Sequence, residues 1–203
     1  MVRKIRKEKL YIILPAFNEG ACITSIIRAT SKVCKTHSIK HHFVVIDDGS
    51  SDDTAKQLSR LQSGFPLTII SHNFNRGLGE TIRNGLELVA DISNDNDVIV
   101  RMDADETHEP KYIPDLIDKL AEGYDVAIAS RYLGNGFQMG VPWHRSAISK
   151  IANILIGLIF PIPHIKEFTC GYRAYKSKAI KDAINFFGND FIQLQPFGFS
   201  CTV

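Results

Sequence analysis

The 203-residue chain, 44% hydrophobic and 23% charged, is long enough to bury a sizeable core as one domain and too ordinary in composition for a disordered or fibrous class. Its formal charge of +2 gives no footing for a committed polyanion binder, so nucleic acid is not an expected partner. Cys22, Cys34, Cys170 and Cys201 are scattered without a C-x-x-C pair, a usage that suggests neither a zinc site nor a disulfide framework and fits a reducing, cytoplasmic compartment.

Residues 1–8 read as a solvated basic tail around Arg3-Lys4-Ile5-Arg6-Lys7, which runs at once into a short apolar stretch and lacks the pattern of a secretory signal. That stretch, 10–14, is a first buried strand, broken by Pro15 and followed by Ala16-Phe17-Asn18-Glu19-Gly20. Ile23, Ile26, Ile27, Thr30 and Val33 then repeat at helical spacing. A second strand, 43–46, opens into the polar run Asp47-Asp48-Gly49-Ser50-Ser51-Asp52-Asp53-Thr54. The next helix starts inside that run, with Ser50 or Ser51 as its cap, Asp52 and Asp53 at the positive end of its dipole, and Ala55, Leu58 and Leu61 inward. A third strand, 67–71, precedes Asn75-Arg76-Gly77-Leu78-Gly79-Glu80 and a helix with Ile82, Leu86 and Val89 inward. The fourth strand, 98–102, delivers Asp103 and Asp105 to its carboxyl end. A helix started by Pro110 or Pro114 buries Ile113, Leu116, Ile117 and Leu120, and a fifth strand, 125–130, ends at Arg131.

Strand and helix alternate five times with near-continuous apolar strands, the pattern of an α/β domain over 9–203 whose mostly parallel sheet is flanked by helices. Ligands of such sheets sit at the carboxyl ends of the strands. Those ends carry Asn18 and Glu19, Asp47 and Asp48, Asn75 and Arg76, Asp103 and Asp105, and Arg131. Acids also cap helices and form turns, but five polar strand ends in a row favour a site. Two carboxylates one residue apart suit a hard divalent cation with oxygen ligands, which can hold a substrate diphosphate. The first strand is not followed by G-x-G-x-x-G and no G-x-x-x-x-G-K-[ST] occurs, which sets aside dinucleotide oxidoreductases and P-loop enzymes.

Pro15-Ala16-Phe17-Asn18-Glu19, Asp47-Asp48-Gly49-Ser50, Asn75-Arg76-Gly77, Met102-Asp103-Ala104-Asp105 and Ser130-Arg131-Tyr132 resemble, in order and spacing, the family 2 inverting glycosyltransferases of the GT-A (nucleotide-diphospho-sugar transferase) fold. Trp143-His144-Arg145, Ser149-Lys150-Ile151-Ala152-Asn153 and Thr169-Cys170-Gly171-Tyr172-Arg173 bring the resemblance nearest to the polyprenyl-phosphate glycosyltransferases, dolichyl-phosphate mannose synthases among them. The resemblance implies a nucleotide-diphosphate sugar as donor. Pro15, Phe17, Glu19 and Asp48 would surround its base and ribose, with Asn18, Asp47, Asp103 and Ala104 completing the binding set. Asp103 and Asp105 would hold Mg²⁺ or Mn²⁺, and Asp105, Arg131 and Arg173 would form the catalytic group, the arginines on the diphosphate or the acceptor phosphate.

The chain departs from the family pattern in three places. Glu106 and Thr107 follow the Asp-X-Asp where relatives carry Leu then Gln or Ser, so Thr107 or water takes the third ligand position. Phe191-Ile192-Gln193-Leu194-Gln195 matches the aromatic-Gln-x-Glu segment loosely, with Gln195 for the acid. The family's basic Ser-Lys loop lies beyond Val203, so the resemblance implies either a chain shortened at its C-terminus or one that manages without that loop.

A hydroxyl acceptor needs a general base, and the Glu-Asp doublet many inverting GT-A enzymes use is absent. A phosphate acceptor is already ionised, which favours polyprenyl phosphate; a saccharide acceptor, with Glu167 as base, and a nucleotide-sugar-binding module without turnover stay open. A nucleotidyltransferase would want a glycine-rich basic loop after the first strand. Ile148, Ile151, Ala152, Ile154, Leu155, Leu158 and Ile159 lie between Arg145 and Pro161, too short for the roughly 20 residues of a membrane span. They form either an interfacial helix, giving peripheral contact with the cytoplasmic face of a membrane, or a helix on the sheet. His37, His41, His42, His72 and His164 show no ligand spacing and read as surface or loop residues.

Overall fold

Alternating burial organises the sheet. In a strand successive side chains point to opposite faces, and in the computed structural model, which describes residues 8–130, 159, 167 and 169–192, both faces of the central strands are covered. Strand β1 (Leu10–Ala16) is buried throughout. Its Leu10, Ile12 and Leu14 join Phe43, Val45 and Val100 beneath Ile23 and Ile27 of α1 (Ile23–Thr36), Leu58 of α2 (Thr54–Leu61) and Ile113 and Ile117 of α4 (Ile113–Ala121). Its Tyr11 and Ile13 join Val44, Ile46 and Ile99 beneath Ile82, Leu86 and Val89 of α3 (Leu78–Ile92) and Ile180 of α5 (Ser177–Phe187).

The remaining strands are β2 (His41–Asp47), β3 (Leu67–Ser71), β4 (Val98–Arg101), β5 (Val126–Ile128) and β6 (Arg173–Lys176), and the sheet order is β3-β2-β1-β4-β6-β5. Strands β1 to β4 pair in parallel, whereas β6 is antiparallel to both β4 and β5. The mostly parallel sheet expected from the alternation is present. Strand β6 is an addition that alternation did not reveal, inserted between β4 and β5.

Several local expectations are corrected. Pro15 does not break β1, which continues to Ala16 opposite Asp47. Ile13 O accepts from Met102 N on the β4 side, so Pro15, two residues on, turns its missing N–H toward the same side, beyond the last paired residue Arg101. No ladder bond is lost there. Neither Ser50 nor Ser51 caps α2, whose N-cap position is Asp53; Asp52 Oδ1 instead accepts from the Thr54 amide at 2.9 Å. Thr54 replaces Ala55 on the inner face and Ala55 is exposed. In α1 Cys34 is fully buried and Val33 only half-buried. Strand β5 is shorter than expected. Arg131, Gln193, Gln195, residues 1–7 and the 148–159 stretch apart from Ile159 lie outside the described residues. Among those described, no helix is long and apolar enough to cross a membrane.

Candidate active site

Strand order reverses between β1 and β4: β1 leads outward to β2 and β3, then the chain returns to place β4 on the other flank. A crevice opens at such a switch point, outside the carboxyl ends of the strands. Here it is a cleft of about 330 Å³ lined by Pro15, Ala16, Phe17 and Glu19 after β1, Asp48 after β2, Asn75, Gly77, Leu78 and Thr81 at the start of α3, and Asp103, Ala104 and Asp105 after β4. Of the described residues singled out in the sequence, Asn18, Asp47, Arg76, Thr107, Glu167 and Arg173 do not line it.

One wall is tied down by hydrogen bonds. Asp48 is 3% exposed; its Oδ1 accepts from His72 Nδ1 at 2.6 Å and the Arg76 amide at 2.9 Å, and its Oδ2 from the Gly77 amide at 2.9 Å. Burial pushes its carboxyl up, but the bonds from His72, Arg76 and Gly77 together outweigh that effect and hold it below the usual carboxylate range. Asp47 Oδ1 accepts from the Ser50 amide at 3.1 Å, a turn-forming role. Asn18, at φ 58°, accepts on Oδ1 from the Ser51 amide at 2.8 Å and gives its own amide to Ser50 Oγ at 2.9 Å. These bonds lock the loop after β1 to the loop after β2. Gly49 completes the wall: at φ +73° an added Cβ would lie 2.6 Å from the Phe74 carbonyl carbon. Phe17 lines the cleft with 46% of its surface exposed, leaving an aromatic face for a flat ring.

The other wall carries charge. Asp103 Oδ1 accepts from Arg101 Nη2 at 2.8 Å. His108 accepts from the Asp103 amide on Nδ1 at 2.9 Å, and its ring stacks on Tyr172 with centroids 5.0 Å apart. Asp105 is exposed; its Oδ1 accepts from Thr107 Oγ1 at 2.6 Å, in a turn where Glu106 takes φ 63°. Burial pushes the Glu19 carboxyl up, and the charges of Asp105, Asp52 and Asp103 push it further in the same direction. Three acids therefore crowd one edge of the cleft.

Among the described residues no three His, Cys, Asp or Glu side chains gather in a metal-binding group. The chemistry of the donors nevertheless fits a hard divalent cation: Asp103 and Asp105 present carboxylate oxygens to one cleft, and the crowding felt by Glu19 is relieved by positive charge.

Arg173 begins β6 directly opposite Arg101, and its Nε donates to Cys170 O at 2.7 Å. Gly171 makes room for this arrangement, since a Cβ there would lie 1.8 Å from Arg101 Nη1. Glu167 is buried, 1% exposed. Three side chains of the site region escaped sequence reasoning: Arg101, His108 and His72. The surface reading of His72 is overturned, because it is 8% exposed and touches Asp48. The strand alignment holds the missing signal: Ser71 pairs with Asp47, so the residues that follow them, His72 and Asp48, are neighbours.

Sheet order, switch-point cleft and the acid pair after β4 define a nucleotide-diphospho-sugar transferase fold of the GT-A class. Solved structures agree. Glucosyl-3-phosphoglycerate synthase from Mycobacterium tuberculosis in complex with phosphoglyceric acid superposes with a TM-score of 0.62 at 21% identity, over 85% of this chain and 58% of that one. The same protein in complex with Mn²⁺, uridine-diphosphate-glucose and phosphoglyceric acid gives 0.60 at 20% identity, over 91% and 68%. The family model for glycosyl transferase family 2 matches residues 11–184, and the chain belongs to that family. Among curated relatives, dolichol-phosphate mannosyltransferase of Pyrococcus furiosus is 29% identical over 192 residues, 94% of this chain and 50% of that protein. Polyprenol monophosphomannose synthase of Mycolicibacterium smegmatis is 30% identical over 176 residues, 86% and 64%. The chain thus spans between half and two thirds of the length of these relatives.

Proposed function

We propose that the chain is an inverting glycosyltransferase that takes a sugar from a nucleotide-diphosphate sugar and transfers it to a polyprenyl phosphate. The observation that carries this is the gathering of Phe17, Asp48, Asp103 and Asp105, from three different strand ends, around one cleft. Phe17 offers its face to the base, and Asp48, already fixed by the protein, offers its remaining acceptor site to the nucleoside. Asp103 and Asp105 hold Mg²⁺ or Mn²⁺, whose charge, when bound, offsets that of the departing nucleoside diphosphate.

The acceptor phosphate oxygen forms a bond to the anomeric carbon from the face opposite the diphosphate, as the bond to the diphosphate oxygen breaks. Configuration inverts, and no proton has to be removed from an ionised phosphate. Arg131 and Arg173 supply guanidinium groups for the phosphates. The names of the two curated relatives, both transferases to polyprenol or dolichol phosphate, support this acceptor. An acceptor embedded in lipid implies peripheral contact with the cytoplasmic face of a membrane. The test is transfer of labelled sugar from a panel of UDP- and GDP-linked donors into vesicles containing polyprenyl phosphate. Label in the lipid phase that requires the lipid phosphate supports the proposal. Label that instead enters a soluble saccharide, or donor binding with no transfer to either acceptor, overturns it.

A further inference from the structure

His72 is the one buried residue between Ser71 and Gly79. It reaches into the sheet edge where β2, β3 and α3 meet. Its Nδ1 lies 2.6 Å from Asp48 Oδ1 and its Nε2 lies 2.8 Å from Asn84 Oδ1. The orientation of the Asn84 amide is set by its own Nδ2, which donates to Glu80 Oε1 at 3.2 Å. Both ring nitrogens therefore lie within hydrogen-bond distance of side-chain oxygens on opposite sides of the ring.

Asp48 has roughly four acceptor positions. His72 and the Arg76 amide take two on Oδ1, and the Gly77 amide takes one on Oδ2. A single position remains, on the carboxylate of a residue that lines the cleft. The same bonds pin Arg76 and Gly77, the latter a cleft residue, against the end of β2.

We propose that His72 is a positioning residue for the donor: clamped between Asn84 and Asp48, it fixes the one free Asp48 acceptor position toward the nucleoside and holds the 75–77 loop as the cleft wall. The inference rests on the donor-binding reading above. His72 itself touches no donor and acts through Asp48.

The test is a double-mutant cycle on nucleotide affinity. Titration calorimetry with UDP and with GDP, each with Mn²⁺, is run on the wild-type chain, His72→Gln, Asp48→Asn and the double variant. Glutamine keeps a donor but cannot serve two acceptors on opposite sides. The expected result is about tenfold weaker binding for His72→Gln, and a double variant no weaker than Asp48→Asn alone. A role confined to stability predicts unchanged affinity in His72→Gln, and losses that multiply mark an effect independent of Asp48; either result overturns the inference. Asn84→Ala loosens the clamp from outside the cleft and decides the matter if His72→Gln does not fold: affinity about threefold weaker is expected, and unchanged affinity overturns it. A wild-type chain that binds neither nucleotide overturns the donor reading and this inference with it, whereas wild-type binding with His72→Gln unaffected overturns this inference alone.

Discussion

Two acid pairs stand at strand ends on either side of β1, and the fold treats them in opposite ways. Asp47 and Asp48 are 4% and 3% exposed, and their carboxylates accept bonds from His72 and from the Ser50, Arg76 and Gly77 amides. Asp103 and Asp105 line the open side of the cleft, and their charges add to the pressure on Glu19. The first pair is part of the architecture, and its chemistry is orientation. In the second, Asp103 pairs with Arg101 and the exposed Asp105 bonds Thr107; under the proposed function its chemistry is completed from outside, by a cation. Under the proposed function, like sequences at like positions thus divide into a rigid nucleoside wall and a more exposed phosphate wall.

The contrast breaks most visibly at Asp48. Replacing it with alanine leaves the His72 ring and two backbone amides without their buried acceptor, so Asp48→Ala is expected to lower stability by about 3 kcal/mol, read from urea unfolding. Gly49→Ala attacks the same wall through the backbone, combining a left-handed φ with an approach of 2.6 Å to Phe74; a loss of about 2 kcal/mol is expected in the same assay.

Acid titration separates the two walls by sign. The folded-state pKa of Asp48 lies below its ordinary 3.8, so the stability it contributes is present above pH 3.8 and is lost as pH falls through the depressed value. That of Glu19 lies above its ordinary 4.5, so the folded state binds this proton better, and Glu19 removes stability as pH rises through the window above 4.5. Urea midpoints followed against pH should show Glu19→Gln abolishing that decline at mildly acidic pH, and Asp48→Asn abolishing the loss at lower pH. The smallest effect on stability belongs to the phosphate wall itself. Asp105→Asn keeps an acceptor for Thr107 and is expected to leave unfolding within about 0.5 kcal/mol of wild type, while Mn²⁺ stops raising the melting temperature.

Much of this was readable from residue order alone. Strands β1 to β4 and their helices announce themselves because each buries a continuous or 3.6-periodic apolar set, such as Ile113, Leu116, Ile117 and Leu120. The acids after β2 and β4 follow directly from strand ends. Strand β6 did not show, because Arg173-Ala174-Tyr175-Lys176 is four residues long with charged ends, and only pairing with Val98–Arg101 and Val126–Ile128, both distant in sequence, makes it a strand. His72 was missed for a related reason: nothing local distinguishes it from the exposed Asn73 or Phe74, and its burial exists only once β3 is registered on β2. Ser50 and Ser51 look like helix caps locally, yet Asn18 from the neighbouring strand end claims both.

Under the proposed function the cleft binds a nucleoside diphosphate through a divalent cation on Asp103 and Asp105. Titration calorimetry of the chain with UDP and with GDP, with and without Mn²⁺, beside Asp105→Ala, tests it directly. One nucleotide should bind in the presence of Mn²⁺, with affinity about tenfold or more weaker in Asp105→Ala or without the metal. Binding indifferent to both the metal and Asp105, or no binding of either nucleotide by folded protein, would contradict the account.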